Sequence, residues 1–307
     1  MPRHEPTDDN AAQPTSPPVR RRVKRVLITL ATLYVAVCLL MMALERWLVY
    51  FPPATAHWSL SPHSGDEEAW FESSDGTRLN GVLLRQPGSS RAILYCHGNG
   101  EDVPHALSRM DELRRRLDAN VFVFDFRGYG GSDGSPQEAG IIEDGLAAQR
   151  WLAERLQCKP TDIVVMGRSL GGGIAVAVAA QQGARGLVLQ NTFNRLDEVA
   201  AGQYPWLPVR WLIRNHYPSN EWIAGYTGPL LQSHGTTDEI VPYESGQALF
   251  DACPSADKQF FTIDGGYHNE AEPAEYDALL SEWFDRIYAD KPEAAPAAGE
   301  ERAPITP

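Results

Sequence analysis

Hydrophobic and polar positions divide the chain into one long apolar run near its start and a region of short alternating elements. The run covers residues 26–44, reads VLITLATLYVAVCLLMMAL and contains no charge. A helix of this length spans about 28 Å, close to the hydrocarbon thickness of a bilayer. The pattern therefore predicts a single transmembrane anchor, with Trp47 and Tyr50 at the far membrane interface.

The flanks of the run favour an anchor over its alternatives. Residues 1–25 are rich in Pro and polar side chains, end in a basic cluster and are predicted to be disordered. The positive-inside rule then places the N-terminus in the cytoplasm and the following domain on the other side of the membrane. A cleaved signal peptide, a twin-arginine signal, a buried core helix and a lipid-modified Cys38 are alternatives. The run has no small-x-small site in MMALERW and no polar face, so an uncleaved anchor is favoured.

Short apolar runs alternate with helical periodicity from about residue 68 onward. Predicted strands read AWFES, LNGVLLRQ, AILYCHG, NVFVFDF, DIVVMG, GLVLQN, PLLQSHG and QFFTIDGG. Helices are predicted over residues 103–117, 141–156 and 170–182. This alternation predicts an α/β domain at residues 47–289, with a mostly parallel sheet covered by helices on both faces. In such sheets, the functional residues lie at the carboxyl ends of the strands.

Two segments depart from this rhythm. Residues 194–228 are too long for a simple connection and carry three tryptophans and several prolines. We expect them to form a short cap over the site, although a packed helical excursion is the alternative; they are called the cap segment below. Residues 290–307 are rich in Pro, Ala and Glu and are predicted to be a disordered tail.

Charge and composition narrow the class of partner. The formal net charge is -13, which argues against nucleic acid, because phosphate binding needs a basic face. Basic residues concentrate before the apolar run, which is typical of a protein held at a membrane. Hydrophobic residues make up 43% of the chain, enough for a sizeable core.

The sequence gives little support for a metal site or for disulfide bonds. The four cysteines show no CxxC spacing and predict no disulfide framework, although a Cys158–Cys253 bridge is conceivable. There is no HExxH, and His97, Glu101 and Asp102 are too sparse to predict a metal site. We therefore predict neither a metal nor another cofactor.

A serine on a tight turn is the strongest chemical signal. Ser169 lies in GRSLGGG, after the strand DIVVM and before a predicted helix. It could be a raised nucleophile, part of a phosphate-binding loop, or a plain turn. The phosphate loop is disfavoured, because neither GxxxxGK[ST] nor GxGxxG is present. The sequence Gly167–Gly171 fits G-x-S-x-G, in which small glycines leave room around a strained serine, and the extra glycines Gly172 and Gly173 favour close helix packing.

Partners for this serine follow in the order that the motif requires. Asp238 comes after PLLQSHG and His268 after QFFTI, so they are the predicted acid and base, with Glu239 as the backup acid. A turn-capping aspartate and a solvated loop histidine are the plainer interpretations. The oxyanion would be stabilised by the backbone N–H groups of Leu170 and Asn99, with Gly100 close behind. His97 is interpreted as a residue that shapes its loop rather than as a catalytic group.

The order of these motifs resembles the α/β-hydrolase superfamily, within it a membrane-anchored, serine aminopeptidase-like group. The motifs are RWLVYFPP, CHGNG, DFRGYGGSDG, GRSLGGG, HGTTDEIVP and GGYHNE, and the resemblance runs from about Trp47 to Tyr288. It implies an eight-stranded, mostly parallel sheet and an N-terminal anchor. It also implies Ser169, Asp238 and His268 as nucleophile, acid and base. The strand LLQSHG is more polar than the aliphatic strand that is usual in the family. This difference does not shift Asp238 from the position that the motif requires.

These patterns lead to one favoured function and two alternatives. The favoured function is a serine hydrolase that works through an acyl-enzyme on ester or thioester substrates, and the anchor suggests that these are lipid-like. A serine aminopeptidase is an alternative, for which Asp197, Glu198 or Glu221 could bind a substrate amine. A catalytically silent, membrane-tethered binding protein is the other.

Overall fold

The computed structural model describes residues 19–54 and 65–289 of the chain. Contacts divide the chain into two units, one ending at Leu44 and the other beginning at Glu45. The first unit consists, in its described part, of most of helix α1, Val19–Val49. The predicted disorder of residues 1–18 and 290–307 lies outside the described residues.

Helix α1 is longer than the apolar run alone predicts. It begins at Val19, so the prediction of disorder is wrong for residues 19–25. Arg and Lys have high helix propensity and no Gly or Pro interrupts them, so a helix nucleated in the apolar run extends through them. Among the described residues, α1 is the one helix long and apolar enough to cross a membrane, although a signal sequence has the same properties. Its sidedness remains a prediction.

The second unit is built around one eight-stranded sheet. The strands are β1 (Glu67–Glu72), β2 (Arg78–Leu84), β3 (Ala92–Cys96), β4 (Asn120–Phe124), β5 (Val164–Arg168), β6 (Gly186–Gln190), β7 (Leu230–Gly235) and β8 (Lys258–Ile263). Their spatial order is β1-β2-β4-β3-β5-β6-β7-β8. β2 pairs antiparallel with both β1 and β4, and all other pairs are parallel. The predicted eight-stranded, mostly parallel sheet is confirmed.

Helices cover both faces of this sheet. They are α2 (Val103–Leu117), α3 (Glu138–Leu156), α4 (Leu170–Gln182), α5 (Leu196–Gln203), α6 (Val209–Leu212), α7 (Ser219–Ile223), α8 (Tyr243–Ala252) and α9 (Ala274–Ala289). Apolar residues of α2 and α9 pack on one face with Ile93 and Tyr95 of β3. Those of α3, α4 and α8 pack on the other face with Leu94 and Cys96. Because neighbouring β3 side chains serve opposite cores, the strand is apolar throughout.

Among the remaining segments, Tyr50 differs from the sequence interpretation, whereas the role of residues 194–228 as a cap stays a prediction. The cap segment forms three short helices, α5 to α7, and α7 packs against α4 and α8. Tyr50, expected at a membrane interface, is only 3% exposed and lies in the core of the second unit. Its hydroxyl has buried hydrogen-bonding partners, which explains why an aromatic residue beside the apolar run turns inward. All four cysteines are free thiols.

Candidate active site

Ser169 lies on a strained turn between β5 and α4. Its φ is 52° and its ψ is -120°, a backbone conformation that costs free energy for any residue with a side chain. Glycines let the surrounding chain pass closely: a Cβ on Gly167 would strike the Gly171 carbonyl, and one on Gly171 would strike the carbonyls of Cys96 and His97. The turn therefore holds Ser169 at the carboxyl end of β5, against the loop that follows β3.

A chain of hydrogen bonds connects Ser169 to the ends of two other strands. The Ser169 hydroxyl lies 3.0 Å from His268 Nε2, and His268 Nδ1 lies 2.7 Å from Asp238 Oδ2. His268 follows β8 and Asp238 follows β7. The structure thus brings together the three side chains that the sequence predicts as nucleophile, base and acid. With Nδ1 protonated toward Asp238, Nε2 is free to accept the serine proton.

Asp238 is held as an ionised carboxylate. Its side chain is fully buried, and its Oδ1 accepts hydrogen bonds from the backbone N–H groups of Ile240 (2.9 Å) and Val241 (2.8 Å). Burial opposes ionisation, but hydrogen bonds with His234 and His268 outweigh it and hold the pKa of Asp238 well below its ordinary value. The backup acid, Glu239, contacts the backbone of His268 rather than its imidazole.

Two residues that the sequence interpretation missed, together with its backup acid Glu239, fix the backbone of His268. Arg168 Nη2 donates to the His268 carbonyl at 2.6 Å, and Asn191 Nδ2 donates to the same oxygen at 2.9 Å. Glu239 Oε2 accepts from the His268 N–H at 3.2 Å. Arg168 is the variable position of the G-x-S-x-G pattern and Asn191 ends the run GLVLQN. Their position at strand ends beside the nucleophile is the signal that could have identified them.

The loop after β3, His97–Gly100, lies beside the serine turn and is called the β3 loop below. His97 is buried, its Nδ1 lies 2.8 Å from the Gly98 carbonyl, and its ring stacks on Phe126. Among the described residues, the backbone N–H groups of Asn99 and Leu170 have no hydrogen-bond acceptor. For Leu170 this follows from its place at the start of α4, where N–H groups lack intrahelical acceptors.

A buried polar cluster lies behind the His268 loop. Both carboxyl oxygens of Glu272 and the hydroxyl of Ser233 are buried and lack a close hydrogen-bond partner among the residues that the structure describes. Burial raises the pKa of Glu272 to about 7, although the nearby Arg168 guanidinium opposes this shift. In the part of the chain that the structure describes, no cluster of three His, Cys, Asp or Glu side chains could hold a metal ion.

Family comparisons match the region that holds strands β3 to β8. Residues 91–216 match the alpha/beta hydrolase fold family, and residues 219–271 match the family of serine aminopeptidases, S33. The two matches cover Ser169, His268 and Asp238. They confirm the resemblance seen in the sequence motifs.

Individual relatives and solved structures agree with this family. An uncharacterized protein of Mycobacterium tuberculosis is 36% identical over 82% of this chain and 90% of its own length. The protein bem46 of Schizosaccharomyces pombe is 32% identical over 73% of this chain and 75% of its own. The Pyrococcus furiosus esterase Pf2001 superposes with a TM-score of 0.64 at 20% identity, over 78% of this chain and 99% of its own. At that identity the structural likeness shows the fold.

Proposed function

The chain belongs to the α/β-hydrolase family, and on that premise we propose that it is a serine hydrolase acting through an acyl-enzyme on carboxylic esters or thioesters. The observation that carries the proposal is the hydrogen-bonded series Ser169, His268 and Asp238, at 3.0 Å and 2.7 Å. Its members lie on a strained turn and at the ends of two neighbouring strands. A plain turn serine has no reason to be strained and aligned with a buried imidazole–carboxylate pair.

The proposed reaction has two half-reactions. Ser169 Oγ attacks the substrate carbonyl carbon while its proton passes to His268 Nε2. The tetrahedral intermediate then expels the alkoxide or thiolate, which takes that proton, and leaves an acyl-serine. Water attacks the acyl-serine and transfers a proton to His268, so that the carboxylic acid departs and the serine is regenerated. Asp238 orients the imidazole and stabilises its charged form throughout.

Negative charge on the tetrahedral oxygen requires two preorganised donors. We assign this role to the backbone N–H groups of Asn99 and Leu170, which have no acceptor among the described residues. The N–H of Leu170 also lies at the start of α4, where the helix dipole favours negative charge.

The carboxylates that could bind a substrate amine already have partners within the protein, which favours an ester substrate over an aminopeptidase substrate. An aminopeptidase needs a carboxylate that is available to the substrate ammonium group. Asp197 is buried against Arg195 and His216, whereas Glu221 is paired with Arg195. Glu198 is hydrogen-bonded to Asn194 and paired with Arg210. Because these carboxylates already have cationic or amide partners, we favour an acyl ester substrate.

The N-terminal helix is the basis for proposing on which side of the membrane the reaction takes place. We infer that α1 is a retained anchor, with the second unit on the non-cytoplasmic side, which brings lipid-like acyl substrates within reach. The uncharged run 26–44 and the basic residues before it support this topology. A reporter that is active only in the cytoplasm, fused after Thr306, should stay inactive; activity would overturn the orientation.

A fluorophosphonate probe tests the nucleophile directly. In this labelling, Ser169 Oγ displaces fluoride from phosphorus and its proton passes to His268. Membranes containing the full chain should be labelled, and membranes containing Ser169→Ala should not. The matched control is Ser281→Ala, because Ser281 is a partly buried helical serine far from the turn in sequence. Absence of labelling in the wild type would favour a silent binding protein, and labelling that survives Ser169→Ala would show that Ser169 is not the reactive nucleophile.

Substrate class is tested next. A chain-length series of p-nitrophenyl esters is compared with aminoacyl anilides on the same detergent-solubilised protein. The proposal expects Ser169-dependent cleavage of the esters, with no cleavage of the anilides. Faster turnover of the anilides would establish the aminopeptidase alternative.

A further inference from the structure

The first residues of the second unit, which directly follow the apolar run, make specific contacts with the β3 loop. This junction segment, Glu45–Phe51, consists of the last part of α1 and the two residues after it, and it belongs to the second unit. The last carbonyls of a helix have no intrahelical donor. Asn99 Nδ2 donates to the Val49 carbonyl at 2.6 Å, and Asn99 Oδ1 accepts from the N–H of Phe51 at 3.1 Å. The Asn99 side chain therefore caps α1 and holds the chain that leaves it.

A third hydrogen bond completes the fixation of this side chain. Asn99 Oδ1 also accepts from the hydroxyl of the buried Tyr129, at 2.6 Å. Three bonds to three separate groups leave the amide one orientation. Because the side chain and the backbone of Asn99 share its Cα atom, this restraint also limits rotation of the Asn99 peptide, whose N–H has no acceptor among the described residues.

The junction segment is itself anchored on the cap segment. The Tyr50 hydroxyl donates to Asn215 Oδ1 at 2.8 Å and lies 3.0 Å from the Tyr217 hydroxyl. Glu45 Oε1 accepts from the backbone N–H groups of Arg214 (2.7 Å) and Asn215 (2.9 Å), and from Asn215 Nδ2 (2.7 Å). Tyr50 and Glu45 are almost fully buried. The segment is therefore a fixed part of the unit rather than a loose tether.

We propose that the junction segment positions the oxyanion donor: by holding the Asn99 side chain, it sets the orientation of the Asn99 backbone N–H. This rests on the proposed function, which assigns that N–H to the tetrahedral oxygen. An oxyanion donor acts only within a narrow range of distance, and a misplacement of about 1 Å costs up to about 100-fold in rate. Asn99 and Tyr50 are accordingly positioning residues, and loss of their contacts slows the attack of Ser169.

The test is the second-order rate constant for fluorophosphonate labelling of Ser169 in the full chain, because the phosphonyl oxygen occupies the oxyanion site. Asn99→Ala should slow labelling by about 10- to 100-fold, and Tyr50→Phe by about 3- to 10-fold. If both act through the same N–H, Tyr50→Phe should add nothing in the Asn99→Ala background. The control is Trp47→Phe, because Trp47 lies on the same segment but is 65% exposed, and its labelling rate should equal that of the wild type.

The unfolding temperature separates positioning from mere stabilisation. If Tyr50→Phe lowers this temperature but leaves the labelling rate unchanged, the proposal is overturned. It is also overturned if the effects of Tyr50→Phe and Asn99→Ala multiply. Tyr50→Phe alone carries the test if Asn99→Ala does not fold. An unlabelled wild type is a distinct result, because it removes the proposed function itself and this proposal with it.

Discussion

Arg168 holds the backbone of His268 through a hydrogen bond of 2.6 Å from Nη2 to the His268 carbonyl. The same Nη2 donates to the Glu270 carbonyl at 3.1 Å, and the arginine is 9% exposed. The residue directly before Ser169 therefore reaches across to the loop that carries the proposed base. One side chain thereby ties the position of Ser169, the proposed nucleophile, to that of His268, its proposed proton acceptor.

Arg168→Ala should lower the proposed hydrolysis by about 10- to 100-fold, because His268 loses its strongest backbone restraint. The loss should appear in kcat, while KM for a p-nitrophenyl ester changes little. Arg150→Ala is the control, because Arg150 is exposed and bonds only to Gln182 among the described residues. Equal kcat values for Arg168→Ala and the wild type would contradict this role.

Asn191 has a strained backbone and makes two side-chain hydrogen bonds. Two substitutions separate the effect of the strain from that of the hydrogen bonds. Its φ is +45°, its Nδ2 donates to the His268 carbonyl and its Oδ1 accepts from the Gly235 N–H. Asn191→Ala should destabilise the fold by about 2–4 kcal/mol through strain and lost bonds. Asn191→Gly relieves the strain only. Chemical denaturation should rank the wild type above Asn191→Gly and Asn191→Gly above Asn191→Ala, with activity reduced in both; equal stability of the two variants would exclude strain.

Glu272 should make the fold less stable as the pH rises from about 4.5 to about 7. Its pKa is raised to about 7 by burial, so the folded state binds a proton that the unfolded state has already released. The stabilisation is complete below the unfolded pKa and is lost as the pH passes through the folded pKa. Glu272→Gln should flatten the unfolding free energy across this range, by up to about 3 kcal/mol, as measured by urea denaturation at several pH values.

The comparison for Glu272 is Glu275→Gln, an exposed change on α9 that removes the same charge. It should leave the pH dependence of the unfolding free energy like that of the wild type. If Glu272→Gln behaves in the same way as Glu275→Gln, the Glu272 carboxyl is ionised in the folded protein at neutral pH.

Gly171→Ala adds only one methyl group but should strongly reduce both the stability of the fold and the reactivity of Ser169. A Cβ at this position meets the carbonyls of Cys96 and His97, and backbone atoms cannot move aside as a flexible side chain can. We expect a loss of at least about 2 kcal/mol of stability and of nearly all fluorophosphonate labelling. Gly202→Ala, with open space around its Cβ, should retain both, and a fully labelled Gly171→Ala would show that the β3 loop does not pack there.

Much of the fold could be predicted because its signals are local. The bounds of α2 and α4 follow directly from periodicity and from the turn residues that flank them. The carboxyl-end rule of parallel sheets predicts that Ser169, Asp238 and His268 lie at one edge of the sheet, and the structure has them there. Their catalytic roles stay a prediction that the geometry supports.

What the sequence interpretation missed depends on contacts between distant segments. Tyr50 is an aromatic residue just after an apolar run, as is typical of a membrane interface. Only its hydrogen bonds to Asn215 and Tyr217 show why its side chain is buried in the second unit. The role of Arg168 in holding His268 joins residues a hundred positions apart. The polar strand LLQSHG, unexplained in sequence, places Ser233 beside the buried carboxyl of Glu272.

The bonds between Asn99, Val49 and Phe51 constrain how the second unit can be released from α1. A protease that cuts before Glu45 leaves Val49 and Phe51, the groups that Asn99 bonds, on the fragment. A cut only a few residues later, after Tyr50, removes Val49 and leaves the amide without its acceptor. If the proposed function and the role of Asn99 hold, two fragments of nearly equal mass should differ sharply in the rate of fluorophosphonate labelling, so the position of the cut would decide whether the released unit is active.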